Sequence, residues 1–336
     1  MHSAPEARHD PARWNMIRTG VAGWDYPDWS GIVYPPHPAR DFDRLAWLAE
    51  YFDTVEINVT FYRQPDPDAC RSWAARVAGN PRFRFTAKLF HALTHAGRIP
   101  GRAVEPGNVD LAQDAARYRE GIEPLRTAGL LGAVLLQFPQ SFHDRPENRA
   151  HLERLHGLLP GLTLVAEVRH RSWNHDEALR FLAGLGLGFC NVDQPRLTGT
   201  LGPTGHVTAP TAYIRLHGRN AEHWFPPRPS PGDPPAARTG ARRYDYLYTM
   251  QELEPWVERA VRIADRAEEV FIVANNHYRG KAPVNALMIQ ASIARHKVAA
   301  PPDLVAAYPK LGGWTEPRPP ARTPRLPGAS RQGELF

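Results

Sequence analysis

Eight short runs rich in β-branched and aromatic residues punctuate this chain, at 16–22, 54–58, 82–88, 132–138, 163–169, 187–193, 212–217 and 270–276. Segments with helical spacing of apolar residues separate most of them, at 42–51, 68–77, 109–128, 148–159, 176–185, 253–266 and 285–296. That alternation predicts βα units in a parallel sheet. Eight such units close most simply into a TIM-type (β/α)8 barrel, and a chain of 336 residues accommodates the roughly 250 residues of such a barrel together with loops and tails. An open, doubly wound sheet is the competing arrangement. It would carry a glycine-rich phosphate turn after its first strand, and Gly20-Val21-Ala22-Gly23-Trp24 lacks that pattern.

One domain is therefore expected over residues 15–312, preceded by a disordered N-terminus at 1–14 and followed by a flexible Pro/Arg-rich tail at 313–336. Two connections stand out as loops over the barrel mouth: the glycine-rich 198–205 and the long, proline-rich 225–241. No apolar run reaches the roughly 18 residues that span a bilayer, so no membrane contact and a cytoplasmic location are expected. Cys70 and Cys190 stand far apart without metal-ligand or CxxC spacing and read as buried thiols. The net charge of +6 favours polyanionic partners without requiring them. Only Lys88, Lys281, Lys297 and Lys310 are lysines, among 41 Lys and Arg. A lysine kept against that bias at a special position is there for its amine.

Side chains alternate along a strand. Applied to the eight runs, the rule turns Glu56, Asn58, Thr86, Lys88, Gln137, Glu167, Arg169, Asn191, Asp193, Arg215 and His217 inward. The opposite parity is largely apolar: Val55, Ile57, Phe85, Val134, Leu136, Ala166, Val168, Ile214 and Leu216. The polar groups gather at C-terminal strand ends, where barrel enzymes place their active sites. A pair such as Glu167 and Arg169 also reads as simple mutual neutralisation, but six strands ending alike point to a site. The eighth strand adds Asn275, Asn276 and His277, and the first leads into Trp24, Tyr26 and Trp29. Rim aromatics either stack on a sugar or base or, with Trp29 and Tyr34, cap the barrel as a hydrophobic lid.

These strand ends form an ordered series. It runs through Gly23-Trp24 with Trp29 and Tyr34-Pro35, Glu56-Ile57-Asn58 with Thr60-Phe61-Tyr62-Arg63, Phe85-Thr86-Ala87-Lys88 with Thr94-His95, and Leu136-Gln137-Phe138-Pro139. It continues through Glu167-Val168-Arg169-His170 with Ser172-Trp173, Arg215-Leu216-His217-Gly218-Arg219, and Asn275-Asn276-His277 with Ala282-Pro283. The series resembles the YecE-like family of bacterial and archaeal proteins, domain of unknown function 72, from about residue 17 to 295. The resemblance implies a barrel and names no reaction. Val21-Ala22 replaces a hydroxyl residue usual in the family's Gly-x-x-Gly-Trp, and Ala274 replaces an aromatic common before the Asn-Asn pair.

Glu56 and Glu167 read as an acid/base pair, since two carboxylates beside cations can be driven to different pKa values. Lys88 reads as a charge-holding cation or a nucleophilic amine, and His217 and His277 as proton shuttles. Trp24, Tyr26, Asn58, Gln137, Arg169, Asp193, Arg215, Asn275 and Asn276 complete a substrate-binding set. A divalent metal on Glu56, Glu167, Asp193, His217 and His277 is disfavoured by the cations Lys88 and Arg215 and by the lack of HxH or HExxH spacing, so no cofactor is expected. The last residues, with Gln332, Leu335 and Phe336, resemble the Q-x-x-L-F peptide by which bacterial proteins dock on the DNA polymerase sliding clamp.

The leading expectation is an acid/base enzyme on an anionic substrate, a hydrolase or lyase of nucleic acid or of a phosphorylated molecule, linked to DNA repair or replication. The alternatives are a small-molecule isomerase, lyase or hydrolase of an anionic sugar, and a non-catalytic DNA-associated binding module.

Overall fold

The computed structural model describes residues 16–95, 110–224, 241–320 and 324–325. Each of the eight runs is a strand: β1 Ile17–Ala22, β2 Thr54–Ile57, β3 Arg84–Lys88, β4 Leu131–Gln137, β5 Leu164–Glu167, β6 Gly188–Asp193, β7 Thr211–Leu216 and β8 Glu269–Ala274. They pair in sequence order, all parallel, and β1 closes on β8. The result is the TIM-type (β/α)8 barrel. Pairing stops at Ile57, Glu167, Leu216 and Ala274, which leaves Asn58, Arg169, His217 and Asn275 just past the sheet, at the mouth.

The longer surrounding helices are α1 Arg44–Ala49, α2 Pro67–Arg76, α3 Leu111–Thr127, α4 Pro146–Leu158, α5 Asp176–Gly184, α6 Met250–Ala264 and α7 Lys281–Ala294. Several of their starts carry side-chain caps. The Asp43 carboxylate accepts from the Leu45 and Ala46 amides, and Asp110 does the same for Ala112 and Gln113. Thr249 and Glu252 form a reciprocal capping box on α6. Val55, Ile57, Phe85, Val134, Leu136, Ala166, Val168, Ile214 and Leu216 are fully buried, forming the layer between sheet and helices that the alternation predicted. Inside the barrel Phe271 reaches across to Gly132, where a Cβ would lie 2.2 Å from the ring's Cζ. Cys70 and Cys190 are free, buried thiols.

No helix follows β6. Residues 194–210 run to β7 without helix or strand apart from an isolated bridge at Thr200, and Asn191 holds them: its Nδ2 donates to the His206 carbonyl at 3.0 Å, and its Oδ1 accepts from the His206 amide and the Thr204 hydroxyl at 2.8 Å. The expected start of a flexible tail at 313 is corrected. Thr315–Pro317 pairs in parallel with Val298–Ala300, Thr315 is buried, and the Arg318 carbonyl accepts from the Tyr51 hydroxyl at 2.8 Å. Residues 1–15, 225–240 and 326–336, which include Gln332, Leu335, Phe336 and most of the proline-rich loop, lie outside the described residues. Among the described residues no helix is long and apolar enough to cross a membrane.

Candidate active site at the barrel mouth

The register fixes which side chains share the interior. Ala22 stands beside Glu56, Glu56 beside Thr86, and Gln137 beside Glu167. Cys190 stands beside Tyr213 and Val192 beside Arg215. Neighbours in register on parallel strands point to the same side, so Glu56, Thr86, Lys88, Gln137, Glu167, Tyr213 and Arg215 face inward, with His217 and Asn275 above them.

Arg215 is the centre of this group and is wholly buried. Its Nη2 donates to Glu56 Oε1 at 2.6 Å, and its Nη1 to Glu167 Oε2 at 2.8 Å and Gln137 Oε1 at 2.9 Å. The Tyr213 hydroxyl donates to the other Glu56 oxygen at 2.9 Å and bonds Thr86 at 2.8 Å. Arg169 closes the far side with Nε and Nη2 on Glu167 Oε1 at 2.8 and 2.6 Å. Burial alone would raise the Glu167 carboxyl, but Arg215, Arg169 and His217 outweigh it and hold the group well below the usual carboxylate range. The carboxylates therefore do not form a free acid/base pair. Glu167 is held at Oε1 by Arg169 and at Oε2 by Arg215, and the Arg215 guanidinium joins it to Glu56.

Lys88 differs from every other charged group here. Its backbone carbonyl is pinned by the Thr60 hydroxyl at 2.7 Å and the Tyr118 hydroxyl at 3.0 Å, so the strand end is rigid. Its Nζ makes no hydrogen bond among the described residues. Glu56 Oε1 lies 3.8 Å away and the Phe61 ring centroid 5.8 Å. Burial first, and Arg215 second, push its pKa down to about 7, against the opposing pull of Glu56 and Glu167. A share of the amine is then neutral near neutral pH.

The histidines are neutral. Burial pushes His217 down to about 3 despite Glu167. Its Nδ1 meets Asn275 Nδ2 at 3.0 Å, and its Nε2 lies 3.2 Å from Glu167 Oε1. Since an amide nitrogen can only donate, the ring's proton sits on Nε2. His277 is lowered to about 4 by burial and by Lys88. It stacks on Tyr26, centroids 4.3 Å apart and planes 13° apart, with Tyr244 at 4.6 Å on it as well. The Tyr26 hydroxyl donates to the Ala22 carbonyl at 2.7 Å and accepts a long bond from Asn58 Nδ2 at 3.4 Å. Among the described residues, Asn58 Oδ1, Arg215 Nε, His217 Nε2 and His277 Nδ1 are buried without a hydrogen-bond partner. Buried polar atoms are normally paired, and these four at the barrel mouth are groups that a polar ligand or water would satisfy.

Several expected placements change. Asn191 and Asp193 turn outward, because Cys190 and Val192 take the interior positions of β6. Asn191 holds the 194–210 connection, and Asp193 is taken by Arg219, 2.6 Å from Nη2, and by the Trp256 indole of α6. Asn276 also points out, donating to the Tyr246 carbonyl at 2.7 Å and to Asn285 of α7 at 2.8 Å. The aromatics divide the two roles expected of them. Trp29 and Tyr34 are a buried lid, with the Trp29 indole bonded to the His277 carbonyl at 2.7 Å. Trp24 packs edge-on against Trp73 of α2, centroids 5.5 Å apart. Tyr213, Tyr244, Phe61 and Trp224 were not foreseen. The first was legible, standing two residues before Arg215 on the same parity. Trp224 carries the guanidinium of Arg169 at 5.9 Å and that of Arg243 at 5.8 Å. Among the described residues no group of three or more His, Cys, Asp or Glu is disposed to hold a metal ion.

Comparison with known proteins agrees with this architecture. The family model described as protein of unknown function DUF72 matches residues 18–307. The chain is 27% identical over 285 residues to the UPF0759 protein YunF of Bacillus subtilis, covering 80% of this chain and 92% of that protein. Among solved structures, the DUF72 family protein TM1631 of Thermotoga maritima superposes with a TM-score of 0.69 at 33% identity, covering 83% of this chain and 99% of that one. EF0366 of Enterococcus faecalis, also a DUF72 family protein, gives 0.68 at 24% identity over 84% and 97%.

Proposed function

The chain belongs to the DUF72 family, and from the mouth its barrel builds we propose that it is an enzyme performing acid/base chemistry on a small anionic substrate or an anionic end group. The observation that carries this reading is Lys88, an amine without a hydrogen bond among the described residues, set 3.8 Å from the Glu56 carboxylate in the buried polar cluster. A structural ion pair would be closed, as Arg215 is on both carboxylates. An open amine beside an anion, with orphaned polar atoms around it, is the arrangement of a site awaiting a ligand.

In this reading Lys88 and Arg169 meet the substrate's negative charge. Tyr26, His277 and Tyr244 offer stacked flat surfaces to a sugar or base. Glu56 and Lys88 exchange the proton. Glu167 and Arg215 position rather than react, because the Glu167 oxygens and both Arg215 Nη atoms are held by partners. The recess of Lys88, 9% exposed, favours a substrate whose reactive part inserts as a single unit, such as a sugar phosphate, a nucleotide or the end of a strand. A link to DNA repair or replication through the sliding clamp rests on the tail sequence and the basic balance.

The test is a screen of phosphorylated sugars, nucleotides and single-stranded, duplex and abasic DNA, reading binding and turnover with the full chain and with Lys88→Met and Glu56→Gln. Binding lost in Lys88→Met and turnover lost in Glu56→Gln are expected for the same compound. A non-catalytic module would bind equally well in all three, and that result would remove the enzyme reading.

A further inference from the structure

The placement of Lys88 says more than that a cation is present. Arginine outnumbers lysine throughout the chain, with four lysines among 41 Lys and Arg, and the other three are spent on ordinary roles. Lys281 is paired with Asp245, Lys297 Nζ donates to the Gly312 carbonyl at 2.7 Å, and Lys310 is exposed. The position that faces the mouth is the one where a guanidinium would have served any purely electrostatic purpose better. It forms bidentate bonds and stays charged when buried. What arginine cannot supply is a neutral nitrogen lone pair.

We infer that Lys88 is a covalent nucleophile that captures an aldehyde or ketone of the substrate as a Schiff base. This deepens the proposed function and rests on it. The Nζ lone pair attacks the carbonyl carbon, and the C=O π pair moves to oxygen, which takes up a proton to give a carbinolamine. Loss of that oxygen as water, with formation of the C=N bond, leaves a protonated imine. The balance is neutral amine plus carbonyl plus one proton from solvent giving protonated imine plus water, with no oxidant or reductant. The surroundings suit each stage. Burial of the amine and the neighbouring Arg215 charge keep part of it neutral. Glu56 Oε1 at 3.8 Å receives the proton lost by nitrogen, passes it to the departing oxygen, and then faces the iminium charge as a carboxylate. Tyr213 and Arg215 hold that carboxylate in place. The Lys88 main chain, held at its carbonyl by Thr60 and Tyr118, fixes the point from which the amine reaches into the mouth. The carbonyl has two sources of shared chemistry: an aldose or ketose phosphate, or the ring-opened sugar of an abasic nucleotide.

The experiment incubates the full chain at pH 7.5 with glycolaldehyde phosphate in one arm and an abasic single-stranded oligonucleotide in the other, with sodium cyanoborohydride to reduce any imine. Peptide mass mapping then locates the adduct. The expected result is modification of Lys88 at least tenfold above Lys281, Lys297 and Lys310 in one arm or both, and none at that position in Lys88→Arg. The arm that labels names the source. Labelling that follows exposure, heaviest on Lys310, overturns the inference, as does no adduct in either arm. A parallel titration with carbonyl-free glycerol 3-phosphate and with an intact oligonucleotide separates the two levels. If either binds with no adduct on Lys88, the mouth reading stands and the covalent role falls. If nothing binds, both fall.

Discussion

Replacing Arg215 by methionine removes one guanidinium that serves Glu56, Glu167 and Gln137 at 2.6 to 2.9 Å in a fully buried setting. Glu167 keeps Arg169, and Glu56 keeps only the Tyr213 hydroxyl and the distant Lys88. Breaking a buried ion pair by removing one partner costs about 3–5 kcal/mol, a large share of the roughly 5–15 kcal/mol by which domains are stable. With an unfolding entropy of about 2.1 cal/mol/K per residue over roughly 300 residues, that loss lowers Tm by about 5–8 °C. The sign of the pH dependence follows from Glu167, whose folded-state pKa is depressed. Such a group contributes stability above its unfolded pKa and loses it as pH falls through the acid range. Arg215→Met weakens that hold, so the gap to wild type is widest near pH 7 and narrows toward pH 4. Thermal melts by circular dichroism from pH 4 to 8 measure both quantities. A variant melting within about 2 °C of wild type at pH 7, or a gap that widens on acidification, would refute the view that Arg215 is the electrostatic keystone of the mouth.

Three further outcomes are expected. Modification of Lys88 by trinitrobenzenesulfonate should reach half its maximal rate near pH 7, in line with its depressed pKa; a rate that keeps rising steeply beyond about pH 9 would place Lys88 in a water-like setting. Gly132→Ala should cost about 1–3 kcal/mol through collision with Phe271, measured by urea unfolding, and Phe271→Leu in the same chain should recover part of it. Asp43→Ala removes the cap of α1 and strands Arg76, which now makes three bonds to that buried carboxylate; a loss of about 3 kcal/mol in the same assay is expected.

Most of the barrel was legible because strand and helix periods differ and because each unit carries its own punctuation. Alternation also located the mouth on β2, β3, β4, β5 and β7, where apolar residues of one parity needed the helices and polar residues of the other had nowhere else to go. It failed on β6. The rule assumes an apolar helix outside the strand, and there a non-helical connection presents backbone groups that Asn191 satisfies from the outer face. Asn276 misled for the same reason, since Asn285 of α7 and the Tyr246 carbonyl supply it with an outward polar partner. Sequence also could not tell a reactive carboxylate from a clamped one. Glu56 and Glu167 look alike as letters, and only the position of Arg215 between them shows that they share one counter-ion. The lysine bias, by contrast, was visible from composition, and the structure puts that lysine where composition alone had made it conspicuous.

The central claim is that the mouth around Lys88 receives an anionic substrate. It is tested most directly by protection: the rate of Lys88 modification by trinitrobenzenesulfonate at pH 7.5, followed by peptide mass mapping, with and without saturating sugar phosphates, nucleotides or abasic oligonucleotides. At least one class is expected to slow modification of Lys88 tenfold or more while leaving Lys310 unchanged. Equal rates at Lys88 with every class present would contradict the claim.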